Sequence, residues 1–178
     1  MRIFVGIDIP DHIKEAIQIE SSKFLKYCES FRQVEHHLYH VTLKFLGELS
    51  VSDLEDLEDI LRASLKGYKA FDVHLKDLGY FEKKDGNILW MGMGLGVGKL
   101  KELHKAIDDK INERFQLEKG FFSPHVTLAR KVIVKDLNTF KKNKTREFIF
   151  EAKEVVIFYS HHVDDALTYT PMTKIKLD

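Results

Sequence analysis

One cysteine, three prolines, one tryptophan and no surplus charge of either sign characterise this 178-residue chain. Each shortage excludes something. The single cysteine, Cys28, rules out an intramolecular disulfide and fits a reducing cytoplasm, which is the expected location. Few prolines leave little room for a disordered linker. No stretch reaches the roughly 18 consecutive apolar residues that a membrane span needs. The opening "MRIFVGIDIP" reads as a strand, too short and too charged for a signal peptide. Lys plus Arg and Asp plus Glu stand at 28 each, so the chain lacks the overall basic field of a protein that coats long nucleic acid. The local run "KKNKTR" at 141–146 reads as a solvated turn. A small nucleic-acid ligand, such as one terminal nucleotide, stays compatible with this balance.

What is present is ordinary globular material: 44% hydrophobic and 31% charged residues, enough for one domain over 1–178 or two small lobes sharing a core. "RIFVGIDI" alternates as a strand. A helix follows Pro10 and Asp11, with Ile13, Ile17, Phe24 and Cys28 on one face. "FRQVE" and "YHVTLKFLGEL" read as extended. Ser50 or Ser52 caps a second helix with the stripe Leu54, Leu57, Leu61, Leu65. "FDVHLKDLGYF" and "NILWMGM" flank the turn "KKDGN". A third helix carries Leu100, Leu103, Ile107 and Ile111. "HVTLAR" and "KVIV" are extended pieces, and "KDLNTFKK" predicts a short helix. "FIFEAKEVVIFYS" and "LTYTPMTKIKL" close the chain as two strands around the turn "HHVDDA". The class is α+β with mostly antiparallel pairing. Each half holds helices, strands and one HVTL segment, so the halves look related. Two matched lobes would face each other across a cleft.

The tetrapeptide His-Val-Thr-Leu occurs at 40–43 and again at 125–128. One accidental four-letter match is expected in roughly a tenth of chains this long, so its neighbours must decide. On a strand, alternate side chains share a face. His40, Thr42 and Lys44 therefore project one way, and Val41, Leu43 and Phe45 the other; His125 and Thr127 pair likewise, backed by Val126 and Leu128. A histidine exchanges protons near neutral pH, and a threonine hydroxyl bonds an anion without adding charge. Two such pairs facing each other would hold a phosphate between two imidazoles. The plainer alternative is strand-forming sequence with two structural histidines.

"HVTLKFLGEL", "DLGYFEKKDGNILWMGM", "FSPHVTLAR" and the closing "FYSHH…LTYTPM" together resemble the 2H phosphoesterase superfamily, in its bacterial and archaeal RNA 2′,3′-cyclic phosphodiesterase branch, also called 2′-5′ RNA ligases. The likeness runs over nearly the whole chain. It departs at "FRQVEHHLYH", where many members carry a lead with tryptophan or proline. The resemblance implies a bilobal fold: two pseudo-symmetric antiparallel sheets face a central groove, helices lie outside, and His40 and His125 sit on the groove floor. On this reading two related half-domains each deliver an imidazole and a hydroxyl.

The resemblance further implies hydrolysis of a 2′,3′-cyclic phosphate at RNA 3′ ends or in small nucleotides. His125 would be the proton acceptor and His40 the proton donor, leaving a 2′-phosphate with no cofactor or metal. Thr42 and Thr127 would bind the non-bridging oxygens. Phe45 and Arg130 each stand five residues after their histidine, so strict alternation points them away from the cleft. If the strands bulge there, Phe45 and Arg130 can stack on the terminal base and Arg130 can reach phosphate; otherwise Phe45 is core and Arg130 a surface charge. Ligation to a 5′-hydroxyl at the same site, and a non-catalytic module that binds RNA ends, are the competing functions. "HHLYH" and the pair His161 and His162 lack the converging ligands of a zinc site. Cys28 reads as core, Ser160 as support for the closing strand, and the protein as a monomer.

Overall fold

The computed structural model describes residues 1–117, 120–135 and 144–178. The order of elements is β1 (Arg2–Asp8), α1 (Asp11–Leu25), β2 (Cys28–Gln33), a 3₁₀ turn (His36–Leu38), β3 (His40–Glu48), α2 (Val51–Leu65), β4 (Phe71–Phe81), β5 (Asn87–Met93), α3 (Val97–Phe115), β6 (Val126–Val134), β7 (Phe148–Ala152), β8 (Glu154–Val163) and β9 (Ala166–Lys176). The helices form where apolar residues recur at helical spacing. Ile17 and Phe24 bury from α1, Leu57, Leu61 and Leu65 from α2, and Leu100, Leu103, Ile107 and Ile111 from α3. Ser50 is the cap of α2: its hydroxyl accepts from the Asp53 amide while the Asp53 carboxylate accepts from the Ser50 amide.

Two antiparallel sheets carry the site. The first is ordered β3-β1-β8-β9 and the second β2-β6-β5-β4-β7. Each draws strands from both ends of the chain, so the two sheets are not the two halves of the sequence, as the repeated tetrapeptide had suggested. The segment "FIFEAKEVVIFYS" is likewise not one strand: it divides at Lys153, β7 pairing with β4 in the second sheet and β8 with β1 in the first. "HVTLAR" and "KVIV" join into the single strand β6. His161 and His162 belong to β8, and the turn to β9 is made at Asp164 and Asp165, both with positive φ. Cys28 does not ride on a helix; α1 stops at Leu25, and Cys28 opens β2 with its thiol buried. The helix expected at "KDLNTFKK" falls mostly outside the described residues.

Helix α2 packs on the first sheet, α1 on the second, and α3 touches both, through β3 and β4. Most buried residues form one contiguous core, into which Ile3, Val5 and Ile7 point from β1 and Leu89 and Met91 from β5. The opposite face of the first sheet carries a smaller cluster, Phe4, Val156 and Phe158 with Tyr169 against it. Among the described residues no helix is long and apolar enough to cross a membrane.

Candidate active site

Both HVTL segments contain a β-bulge, and in both the extra residue is the leucine. Thr42 pairs with Gly6 and Lys44 with Val5, leaving Leu43 without a partner on β1. Thr127 pairs with Trp90 and Ala129 with Leu89, leaving Leu128 without one on β5. Inserting one residue into one strand shifts the alternation of everything after it. Phe45 therefore stands opposite Phe4, on the face of His40 and Thr42, and is 66% exposed. Arg130 follows core-facing Ala129 and turns to the face of Thr127.

The same bulge moves Lys44 off the face where strict alternation placed it. Its partner Val5 is fully buried, and the Lys44 ammonium reaches α3, donating to Asp108 Oδ1 at 2.6 Å. Asp108 also accepts from Asn112 Nδ2 at 2.8 Å. Lys44 thus fastens the motif strand to a helix behind the sheet.

The two histidines are wired alike. His40 follows the 3₁₀ turn, and its Nδ1 lies 2.7 Å from the Leu38 carbonyl oxygen. His125 follows Pro124, and its Nδ1 lies 2.7 Å from the Ser123 carbonyl oxygen. A carbonyl only accepts, so each Nδ1 carries the proton and each Nε2 is the free position of the neutral ring. Thr42 Oγ1 lies 2.9 Å from His40 Nε2 and donates to it in that state.

Neighbours fix the ring planes. His40 leans on Phe4, with centroids 4.7 Å apart, and meets the edge of Tyr169 at 5.2 Å and 89°. Gly6 makes room for this: a Cβ there would lie 2.8 Å from the Val41 carbonyl oxygen and 3.6 Å from His40 Cδ2. On the second sheet His125 meets Phe81 edge-on at 5.0 Å, with Trp90 beyond at 6.2 Å. The Trp90 indole lies over Gly79 and Gly92, where side chains would overlap it. Sequence reasoning named none of Phe4, Phe81, Trp90 or Tyr169 as site residues. Their signal was aromatic residues on the same alternating face as each HVTL pair. Ser160 pairs with Tyr169, on that face too.

Electrostatics connect the two walls. Burial pushes His40 down to about 4; the Leu38 hydrogen bond and Asp8 oppose this, while Lys14 and His125 add to it. His125 is lowered as well, by burial first, with the Ser123 carbonyl opposing and the Arg130 charge adding. Tyr169 is raised by burial, while Arg130 and Arg2 lower it. His40, His125, Arg130 and Tyr169 are therefore close enough to feel one another, although they come from different sheets. Among the described residues no three His, Cys, Asp or Glu side chains converge as metal ligands; His161 instead bonds Thr170 and stacks on Tyr159.

Two imidazoles, each with its Nδ1 held by a backbone carbonyl and each two residues from a threonine, are thus brought near one another. The chain belongs to the 2′-5′ RNA ligase superfamily, whose sequence pattern matches residues 9–163. It is 34% identical over 170 residues to the RNA 2′,3′-cyclic phosphodiesterase of Methanocaldococcus jannaschii, covering 90% of this chain and 91% of that one. The protein of the same name from Thermotoga maritima is 26% identical over 132 residues, 73% and 70% of the two chains. The crystal structure of E. coli LigT complexed with 3′-AMP superposes with a TM-score of 0.83 at 23% identity, covering 99% of this chain and 97% of that one. The last likeness concerns the fold.

Proposed function

We propose that this protein is a hydrolase that opens the 2′,3′-cyclic phosphate at RNA 3′ ends to a 2′-phosphomonoester, with His125 and His40 as base and acid. One observation carries the reading: each sheet presents one imidazole whose Nδ1 is tied to a carbonyl, leaving Nε2 for the groove. The names of the relatives support the substrate class.

The phosphate lies between the imidazoles. His125 Nε2 takes a proton from water, the water oxygen bonds phosphorus, and the P–O3′ bond breaks in line. His40 Nε2 gives its proton to O3′. The products are a 3′-hydroxyl and a 2′-phosphate, and the two rings have exchanged protonation states. Each positioned group contributes on the order of 10²- to 10⁴-fold. The assignment of His125 and His40 follows the family pattern, since their surroundings are alike.

His40 is neutral in the free protein at pH 7, because burial holds it near 4. The anionic substrate favours the imidazolium and loads the acid. Once Nε2 bears a proton, the Thr42 hydroxyl has no acceptor there and turns to a non-bridging oxygen; Thr127 donates to another from the other wall. Phe45 offers an exposed ring to the terminal base, and Arg130 a guanidinium to base or phosphate. No step calls for a metal ion. The reverse reaction, with a 5′-hydroxyl in place of water, uses the same groups, but water prevails unless a second strand is held in place.

The test is incubation with an oligonucleotide ending in a 2′,3′-cyclic phosphate. Hydrolysis by the wild type that collapses in His40→Ala and His125→Ala supports the proposal. Binding without turnover would replace it with a module that recognises RNA ends.

A further inference from the structure

Arg32 on β2 pairs directly with Arg130 on β6. Side chains directly opposite each other in adjacent strands leave the same face, with Cβ atoms about 5 Å apart. That face is the groove: Arg130 follows Ala129, whose partner Leu89 is buried, and the Arg130 charge acts on His125 and Tyr169. Like charges in such a pair repel and destabilise the sheet. Two other arginines sit on carboxylates: Arg62 bonds Glu58, and Arg114 bonds Asp56. Among the described residues neither Arg32 nor Arg130 is in an ion pair, and both are exposed. Among the described residues no strand pairs with the far side of β2, which is the edge of its sheet.

This arrangement has a direction. From the imidazoles it runs through Arg130 to Arg32, one strand spacing of about 4.8 Å further towards the edge. A cyclic phosphate bears one negative charge, and the imidazoles, threonines and Arg130 suffice for it. Arg32 has no use in that contact. A second anion beside the first would relieve the repulsion between the guanidinium groups, and in an RNA chain the second anion is the phosphodiester one nucleotide upstream.

We infer that Arg32, with Arg130, forms a subsite for the penultimate internucleotide phosphate, so that the enzyme prefers the end of an RNA chain to a cyclic mononucleotide. The inference rests on the cyclic phosphodiesterase reading above. The subsite reads charge and position rather than base identity. The preference it creates weakens as salt rises.

The experiment compares three substrates: a nucleoside 2′,3′-cyclic phosphate, a dinucleotide ending in that group, and the same dinucleotide with a neutral methylphosphonate linkage. A hydrogen bond to a charged partner corresponds to about tenfold or more. The wild type should therefore favour the charged dinucleotide over the other two by about tenfold in kcat/KM, through KM. In Arg32→Ala that ratio should fall towards one, and Arg32→Lys should restore part of it. A wild-type ratio near one, or an Arg32→Ala ratio equal to wild type, overturns the subsite. Affinity for the charged and neutral dinucleotides, measured by calorimetry on the same variants, separates the two readings. Arg32-dependent discrimination without turnover would sink the hydrolase and leave the subsite standing. Turnover without discrimination would do the reverse.

Discussion

His40 and His125 lie on different sheets, yet each holds its Nδ1 2.7 Å from the carbonyl oxygen two residues upstream. The repeat in the sequence is thus also a repeat in hydrogen bonding. Each strand enters its motif from an irregular lead, a 3₁₀ turn before His40 and Pro124 before His125, that aims a carbonyl back at the ring. In both cases a backbone carbonyl fixes the tautomer.

If both rings take part in proton transfer, removing either should be severe and removing both should not be twice as severe. His40→Ala and His125→Ala are each expected to lower turnover by about two to four orders of magnitude, and the double variant by less than their product. Single-turnover kinetics beside circular dichroism spectra checks this. A folded single variant with near wild-type turnover would make that histidine structural.

The lowered basicities give a pH signature. On the proposed mechanism the free enzyme needs one ring protonated and the other neutral, and both rings are pushed below their ordinary 6.5. The kcat/KM optimum should therefore fall on the acid side of 6.5. The kcat optimum should lie higher, because bound phosphate stabilises the protonated rings. Stability follows the same sign. His40 takes up its proton near 6.5 when unfolded and near 4 when folded, so the unfolded state binds more protons between these values. The native state then loses up to about 1.4 kcal/mol per pH unit as pH falls through that window. Denaturant titrations of the wild type and His40→Gln should show this slope reduced in the variant.

Gly6 tests whether ring position matters as much as ring chemistry. Adding a methyl group places it 2.8 Å from the Val41 carbonyl, so β3 must move away from β1. A displacement of about 1 Å at a reacting group costs about 10²-fold. Gly6→Ala should therefore fall in kcat by that order, read by steady-state kinetics on folded protein. Unchanged kcat would show that the floor beneath His40 tolerates such movement.

Much of this was legible in the sequence, and the reasons differ by element. The stripes of α2 and α3 announced themselves, since a helix that buries one face must repeat its leucines. Both histidine–threonine pairs could be read from alternation over two residues. Alternation over five residues failed, because Leu43 and Leu128 each insert one position; Phe45 and Arg130 come back to the groove while Lys44 goes to Asp108. A bulge is set by pairing with another strand, and residues far apart in the chain decide it. The exchange of strands between the sheets was hidden for the same reason. Nothing local in "FIFEAKEVVIFYS" says that Phe148 will pair with Leu75 while Phe158 pairs with Phe4.

Metal removal makes a separate demand on the mechanism. With two imidazoles as acid and base, activity should survive exhaustive chelation with EDTA followed by gel filtration. Loss of turnover that zinc or magnesium restores would contradict proton transfer by the two rings alone.

The most direct measurement is phosphorus NMR of the product formed from an oligonucleotide ending in a 2′,3′-cyclic phosphate. With His40 protonating O3′ and His125 activating water, the single product resonance should be that of the 2′-phosphomonoester. A dominant 3′-phosphomonoester would show that O2′ departs instead, and that the roles of His40 and His125, or the orientation of the ribose between them, are reversed.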